Sequence, residues 1–227
     1  MSEPLFTKIV SGWASSKKWP YANLTRSKRD SKLFAISHGI PVPQLYWAGR
    51  RCWMPSWRPP QYVIKPNDGH SSRAVYIVRD GRPIKYPRDE VVLLEAYIPT
   101  NGLTYSFWMV QDELATIQVR WRTEDNLTRE VRMRFYARDW SDGLVTRVGH
   151  VEDIRRPKPD CLEEMIAMAQ TLGKAAKVFL RVDFFIDPER GPLFNEATHN
   201  PNGLKQIHPH ADRVIGEMLA KRGLLSP

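Results

Sequence analysis

Cysteine is scarce: Cys52 and Cys161 are the 2 in 227 residues, far apart and without a CxxC spacing. That argues against a disulfide scaffold or a zinc knuckle and predicts packed, reduced thiols. No run of about 18 apolar residues occurs, so no membrane span is expected. The opening MSEPLFTKIVSGW has no basic flank followed by an apolar core, as a secretory signal would, so a cytoplasmic protein is expected. Internal repeats, low-complexity tracts and blocks of five or six like charges are also missing, which excludes a basic tail. Neither a GxSxG elbow nor a Walker A loop is present.

What remains is an ordinary globular mixture, 42% apolar and 26% charged, long enough to bury a real core. Lys and Arg number 34 against 25 Asp and Glu, a net charge of +9. The excess points to an anionic partner. Its dispersal along the chain favours a small anionic ligand over nucleic acid. The Trp and Arg residues could stack on bases, but with no RNP-like motif packing is the simpler role.

Residues 1–24 read as irregular, with Pro4, Gly12 and Pro20. Thr25–Ser37 reads as a helix with Thr25 as N-cap and Gly39 just past its end. Ile40–Pro43 (IPVP) forces extended chain, and 47–60 reads as a Pro- and Trp-rich connection. Strands are predicted at Tyr62–Ile64, Ala74–Val78, Val91–Ile98, Thr104–Val110, Leu114–Arg120 and Glu130–Tyr136. Residues 139–159 read as loop. Leu162–Lys177 has the strongest helical spacing in the chain. Strands Val178–Ile186 and Leu193–Glu196 and a final helix over His210–Arg222 follow. The order is α+β rather than a regular βαβ repeat.

Three segments carry chemistry. In VIKPNDGHSS (63–72) a lysine ends a strand before a loop of Gly, Asp, Asn and Ser, where backbone N–H groups and an ammonium can meet phosphate. In LLEAYIP (93–99) an acid interrupts an apolar strand. In RVDFF (181–185) and FNEATHNPNG (194–203), Asp183 and Glu196 fall on adjacent strands, an oxygen-rich pair of the kind Mg²⁺ takes alongside phosphates. The bland alternative for the last segment is an Arg181–Asp183 ion pair; a charge in so apolar a strand must be paired or metal-bound. His208 and His210 read as surface residues.

Taken in order, these segments resemble the ATP-grasp superfamily, best known from D-alanine–D-alanine ligase. SKRDSKLFAISHGIPVP is similar to that family's lysine helix, with Lys32 seven residues before Gly39. The later part of the chain resembles, loosely, the branch associated with polysaccharide biosynthesis of the teichuronic-acid type. The resemblance implies two α+β lobes clamping a nucleotide: a segment over 1–43, a small lobe over 44–98 and a large lobe over 99–227. It implies ATP held by Lys32, Lys65, Gly69, Ser71, Ser72, Glu95, Tyr97 and Ile98. It implies Mg²⁺ on Asp183, Glu196 and Asn200, with Arg181, Lys65 and Arg120 as catalytic cations.

The sequence departs from the family at three places. Thr198 stands where the metal motif E-x-N has its asparagine, and Asn200 is the substitute. No ribose-binding acid follows the hinge. Fewer than 30 residues precede the lysine helix, so the substrate domain is expected to be reduced or absent. A partner chain or a second copy would then complete the substrate site. The activity implied is an ATP- and Mg²⁺-dependent ligase joining a carboxylate to an amine or thiol through an acyl phosphate. The substrate expected is small and anionic, a carboxylate carried on a sugar phosphate or peptide among the candidates. A kinase acting on a small-molecule hydroxyl would use the same nucleotide site. A non-catalytic nucleotide- or nucleic-acid-binding module is the reading of another class.

Overall fold

The computed structural model describes residues 5–15, 27–50, 53, 56–57, 59–68, 75–80, 90–100, 102–122, 131–147, 151–199 and 207–224. Two antiparallel sheets organise them. The smaller contains β1 (Leu45–Arg50), β2 (Tyr62–Pro66), β3 (Tyr76–Val78) and β4 (Val91–Ala96), in the order β1-β4-β2-β3. The larger contains β5 (Thr104–Val110), β6 (Glu113–Arg122), β7 (Val131–Tyr136), β8 (Phe179–Asp187) and β9 (Gly191–Thr198), in the order β7-β6-β5-β8-β9. The helices among the described residues are α1 (Phe6–Ser15), α2 (Lys28–Ser37), α3 (Leu162–Ala176) and α4 (Pro209–Lys221). The class is α+β, as expected.

Strand alternation divides the large sheet's two faces. Tyr105, Phe107, Met109, Ile117, Val119, Leu180, Val182 and Phe184 join Leu162, Met165, Ile166, Ala169 and Leu172 of α3 in one core. On the opposite face, Trp108, Val110 and Phe179 pack under α1 and α4, against Phe6, Val10, Trp13, Ala211, Ile215 and Leu219. The rest of that second face has Met133 and Phe135 buried on its β7 side and Ser106, Gln118, Arg120, Asp183 and Glu196 across β6, β5, β8 and β9, and these polar residues carry the candidate site.

Three sequence expectations are corrected. First, 6–15 is helical rather than irregular. Phe6, Ile9, Val10 and Trp13 repeat at helical spacing and are buried. The first turn is held by Asp212 of α4, which accepts from Thr7 N at 2.7 Å and Thr7 Oγ1 at 2.9 Å. Second, 45–50 is an edge strand on β4, not part of a connection. Third, α2 is capped by Ser27, whose side chain accepts from Asp30 N, and not by Thr25, which lies outside the described residues. Gly39 does follow this helix in the left-handed region, φ +73°, which glycine adopts without cost.

Helix α2 is placed by both sheets. It packs on β9, and Phe194 N donates to Pro41 O at 2.8 Å just beyond it. At its other end Asn67, directly after β2, accepts from Arg29 N at 3.0 Å through its side chain and from Lys28 N at 3.0 Å through its carbonyl.

Candidate active site

Two charged clusters meet where the small sheet, α2 and the large sheet come together. The first is Lys32, Lys65 and Glu95. Val63 pairs with Glu95 across β2 and β4, so Lys65, two residues further along β2, shares Glu95's face as a diagonal neighbour. Lys32 comes from the buried side of α2. Its ammonium lies 3.1 Å from one Glu95 oxygen, and Lys65 Nζ lies 2.5 Å from the other. The three side chains are 0%, 7% and 3% exposed.

Two ammoniums share one carboxylate, so the cluster carries a surplus positive charge out of water. Burial opposes ionisation of Glu95, but Lys32 and Lys65 outweigh it and hold the carboxyl below the usual range. For Lys32 burial wins over the attraction of Glu95, and the second ammonium adds to it; its pKa is lowered to about 8. Beyond its ion pair, the Lys32 ammonium has no hydrogen-bond partner among the described residues. An anion with several acceptor oxygens would satisfy both the charge and the donors.

The second cluster lies on the polar half of the large sheet. Gln118, Ser106, Asp183 and Glu196 are successive register partners across β6, β5, β8 and β9, forming a polar row. Asp183 is fully buried. Arg181 donates to it from Nε and a terminal nitrogen, both at 2.9 Å, and Arg120 donates at 2.6 Å. Burial pushes the Asp183 carboxyl up; the guanidiniums of Arg181 and then Arg120 bring it below the ordinary value. Glu196 is 3.6 Å from Arg181 with its side chain one-third exposed, at 33%.

The predicted residues therefore divide clearly. Lys32, Lys65 and Glu95 come together, as do Arg120, Arg181, Asp183 and Glu196. The Arg181–Asp183 ion pair of the bland reading exists, but it is part of a larger network. Tyr97 and Ile98 follow β4; the Tyr97 hydroxyl accepts from Arg79 at 3.0 Å, and Ile98 is buried. Gly69, Ser71, Ser72 and Asn200 lie outside the described residues. Two participants were missed. Lys28, one turn before Lys32, is half-buried; burial lowers its pKa while Glu196 counters that. Its i, i+4 spacing from Lys32 is a signal the sequence contains. Asn195 accepts from Lys65 Nζ at 3.2 Å, and no sequence signal marks it.

The donor set fits a magnesium–nucleotide better than a resident metal. No group of three or more His, Cys, Asp or Glu side chains gathers among the described residues. Mg²⁺ needs only one or two protein carboxylates when phosphates and water supply the rest. Glu196 is open to the cleft. Asp183 has three of its roughly four acceptor positions taken by guanidinium N–H groups, and Ser106 lies beside the same carboxylate.

No protein-family model and no curated protein matches the chain. Solved structures do. The D-alanine–D-alanine ligase of Bacillus anthracis complexed with ATP superposes with a TM-score of 0.53 at 17% identity, over 88% of this chain and 64% of that one. The L-amino acid ligase of Bacillus licheniformis gives 0.53 at 12% identity, over 80% and 42%. The ATP-grasp ligase PsnB, complexed with a phosphomimetic precursor variant, Mg and ADP, gives 0.52 at 12% identity, over 89% and 60%. The chain has the ATP-grasp fold. It spans 64% and 42% of the first two of these proteins. None of these names supports the teichuronic-acid branch.

Proposed function

We propose that the chain is an ATP-dependent ligase joining a carboxylate to an amine or thiol. The observation that carries this is the buried Lys32–Glu95–Lys65 cluster, with its surplus positive charge, beside the Arg120–Asp183–Arg181–Glu196 cluster on the ATP-grasp fold. In this reading residues 44–98 form the small lobe, 99–227 the large lobe and 1–43 the short N-terminal segment that carries α1 and α2. Lys32 and Lys65 receive the nucleotide phosphates. Glu95 holds the two ammoniums in place, one on each carboxylate oxygen, on the strand that leads to the adenine end. Residues 97–98 supply backbone groups to the ring, and Gly69, Ser71 and Ser72 close over the phosphates.

Arg181 and Arg120 are the cations for the transferred phosphoryl group. Both rest on Asp183 in the free chain, and incoming phosphate oxygens compete for their N–H donors. Glu196, Asp183 and Asn200 would hold Mg²⁺, which would supply neutralising positive charge to the phosphates. The substrate carboxylate attacks the γ-phosphorus and ADP leaves; an amine or thiol then attacks the acyl carbon of the acyl phosphate, the acyl C–O bond breaks and inorganic phosphate leaves, the nucleophile's proton passing to solvent. Positioning and fixed charge lower the barrier, so the site needs no protein nucleophile.

The test is a thermal melt with and without Mg²⁺–ATP, for the wild type and Lys65→Ala. Ligand at about 100 times its dissociation constant adds roughly 2.7 kcal/mol. For a chain of this size that is a rise of roughly 5–10 °C. A rise that needs Mg²⁺ and is lost in the variant supports the nucleotide site; no rise at saturating ATP refutes it. ADP release that requires both a carboxylate and an amine or thiol separates the ligase from a kinase, which would need a hydroxyl substrate alone.

A further inference from the structure

We propose that Asn195 is a positioning residue for the phosphate-binding Lys65, an inference that rests on the nucleotide reading above. The β8–β9 ladder runs Arg181–Thr198, Val182–Ala197, Asp183–Glu196 and then jumps to Phe184–Phe194. Asn195 is the extra residue of a β-bulge. Phe194 and Ala197 both face the core under α3. In an unbroken strand residues three apart face opposite ways. The bulge absorbs that mismatch, and two consecutive polar residues, Asn195 and Glu196, leave the core face together. Bulges beside active sites re-aim side chains in this manner.

The consequence falls on Lys65. An ammonium has three N–H donors in tetrahedral array. One goes to Glu95 and one to the Asn195 amide oxygen, 3.2 Å away on the other sheet. Two fixed partners on separate sheets leave the third N–H with one direction. The acceptor is neutral, so it orients the ammonium without cancelling its charge, which a carboxylate at 195 would do. Lys65 thereby meets a phosphate with its rotamer already chosen, and less side-chain freedom is lost on binding.

The experiment is calorimetry of Mg²⁺–ATP and of adenosine, the latter by competition, on wild type, Asn195→Ala and Asn195→Leu. Asn195 is half-buried, so at least the alanine variant should fold, and a melt without ligand checks both. The expected result is an ATP affinity about tenfold lower in each variant, about 1.4 kcal/mol, with adenosine affinity within twofold of wild type. Unchanged ATP affinity overturns the proposal. So does an equal loss for ATP and adenosine, which would mark a structural role. Failure of the wild type itself to bind ATP would instead strike down the nucleotide reading, and is distinct from both.

Discussion

The Lys32 ammonium and the Glu95 carboxylate lie 3.1 Å apart with 0% and 3% of their side chains exposed, on a helix and a strand 63 positions apart in sequence. A pair so buried is stable only while both partners remain, since removing one leaves an uncompensated charge in low dielectric. Here the carboxylate serves two cations.

Replacing that carboxylate should therefore cost more than replacing either lysine. Glu95→Leu is expected to destabilise the chain by about 3–5 kcal/mol, a fall in melting temperature of roughly 10 °C or more. Lys65→Ala should be milder, because Glu95 keeps Lys32, yet should abolish nucleotide binding. Parallel melts of the two variants check the order; an equal or smaller loss in Glu95→Leu would show that the cluster is not the buried triad described.

Lys32 sets a pH dependence. It gives up its proton at about 8 in the folded chain, against 10.5 for an ordinary lysine. Unfolding between those values takes up a proton, so this residue's effect on stability becomes more favourable as pH rises from about 8 to 10.5. Phosphate binding favours the charged form, so nucleotide affinity should fall as pH climbs above about 8, with proton uptake on binding. Calorimetry at pH 8.5 in buffers of different ionisation enthalpy reads that uptake directly; no proton exchange would contradict the assignment of Lys32 to phosphate.

Glu196 is the half of the acidic pair that faces the cleft. Glu196→Gln should leave the melting temperature of the free chain within a few degrees, since the side chain is one-third exposed and its ion pair is long at 3.6 Å. The extra stabilisation that Mg²⁺ gives beyond ATP alone should disappear. If Mg²⁺ still adds its full shift to the variant, the metal assignment is wrong.

Gly173 tests the packing of α3. A methyl group there would overlap the backbone carbonyl oxygen of Gln111, at the β5–β6 turn. Alanine ordinarily gains about 1 kcal/mol over glycine inside a helix, but here the helix would have to lift from the sheet. Gly173→Ala is expected to destabilise by about 1–3 kcal/mol instead, read by urea denaturation; a stabilised variant would show that α3 sits further from the sheet.

Much of the site was legible because a charge in an apolar strand needs a reason. Lys65, Glu95, Arg181 and Asp183 each interrupt a β-type run, and Lys32 stands on the buried side of a capped helix. Strand and helix positions from 62 onward agree with expectation to within a few residues, since their alternation and 3.6-residue spacing are strong. Helix α1 carried its signal at 6, 9, 10 and 13, but Pro4, Gly12 and Pro20 obscured it. Strand β1 offered little: LYWAGR has no clean alternation, and among the described strands it pairs with β4.

The sequence by itself determined which residue types are available: the lysines, the arginines, the two carboxylates on neighbouring strands and the apolar periodicities that fix the elements around them. Only the tertiary structure decided how they are shared. That Glu95 serves two lysines, that Asp183 is held by Arg181 and Arg120 together, and that a bulge turns Asn195 toward Lys65 are all contacts between distant segments. Local pattern encodes a residue's face on its own strand or helix. It does not encode the register between strands or the approach of two sheets, and those set which charges meet.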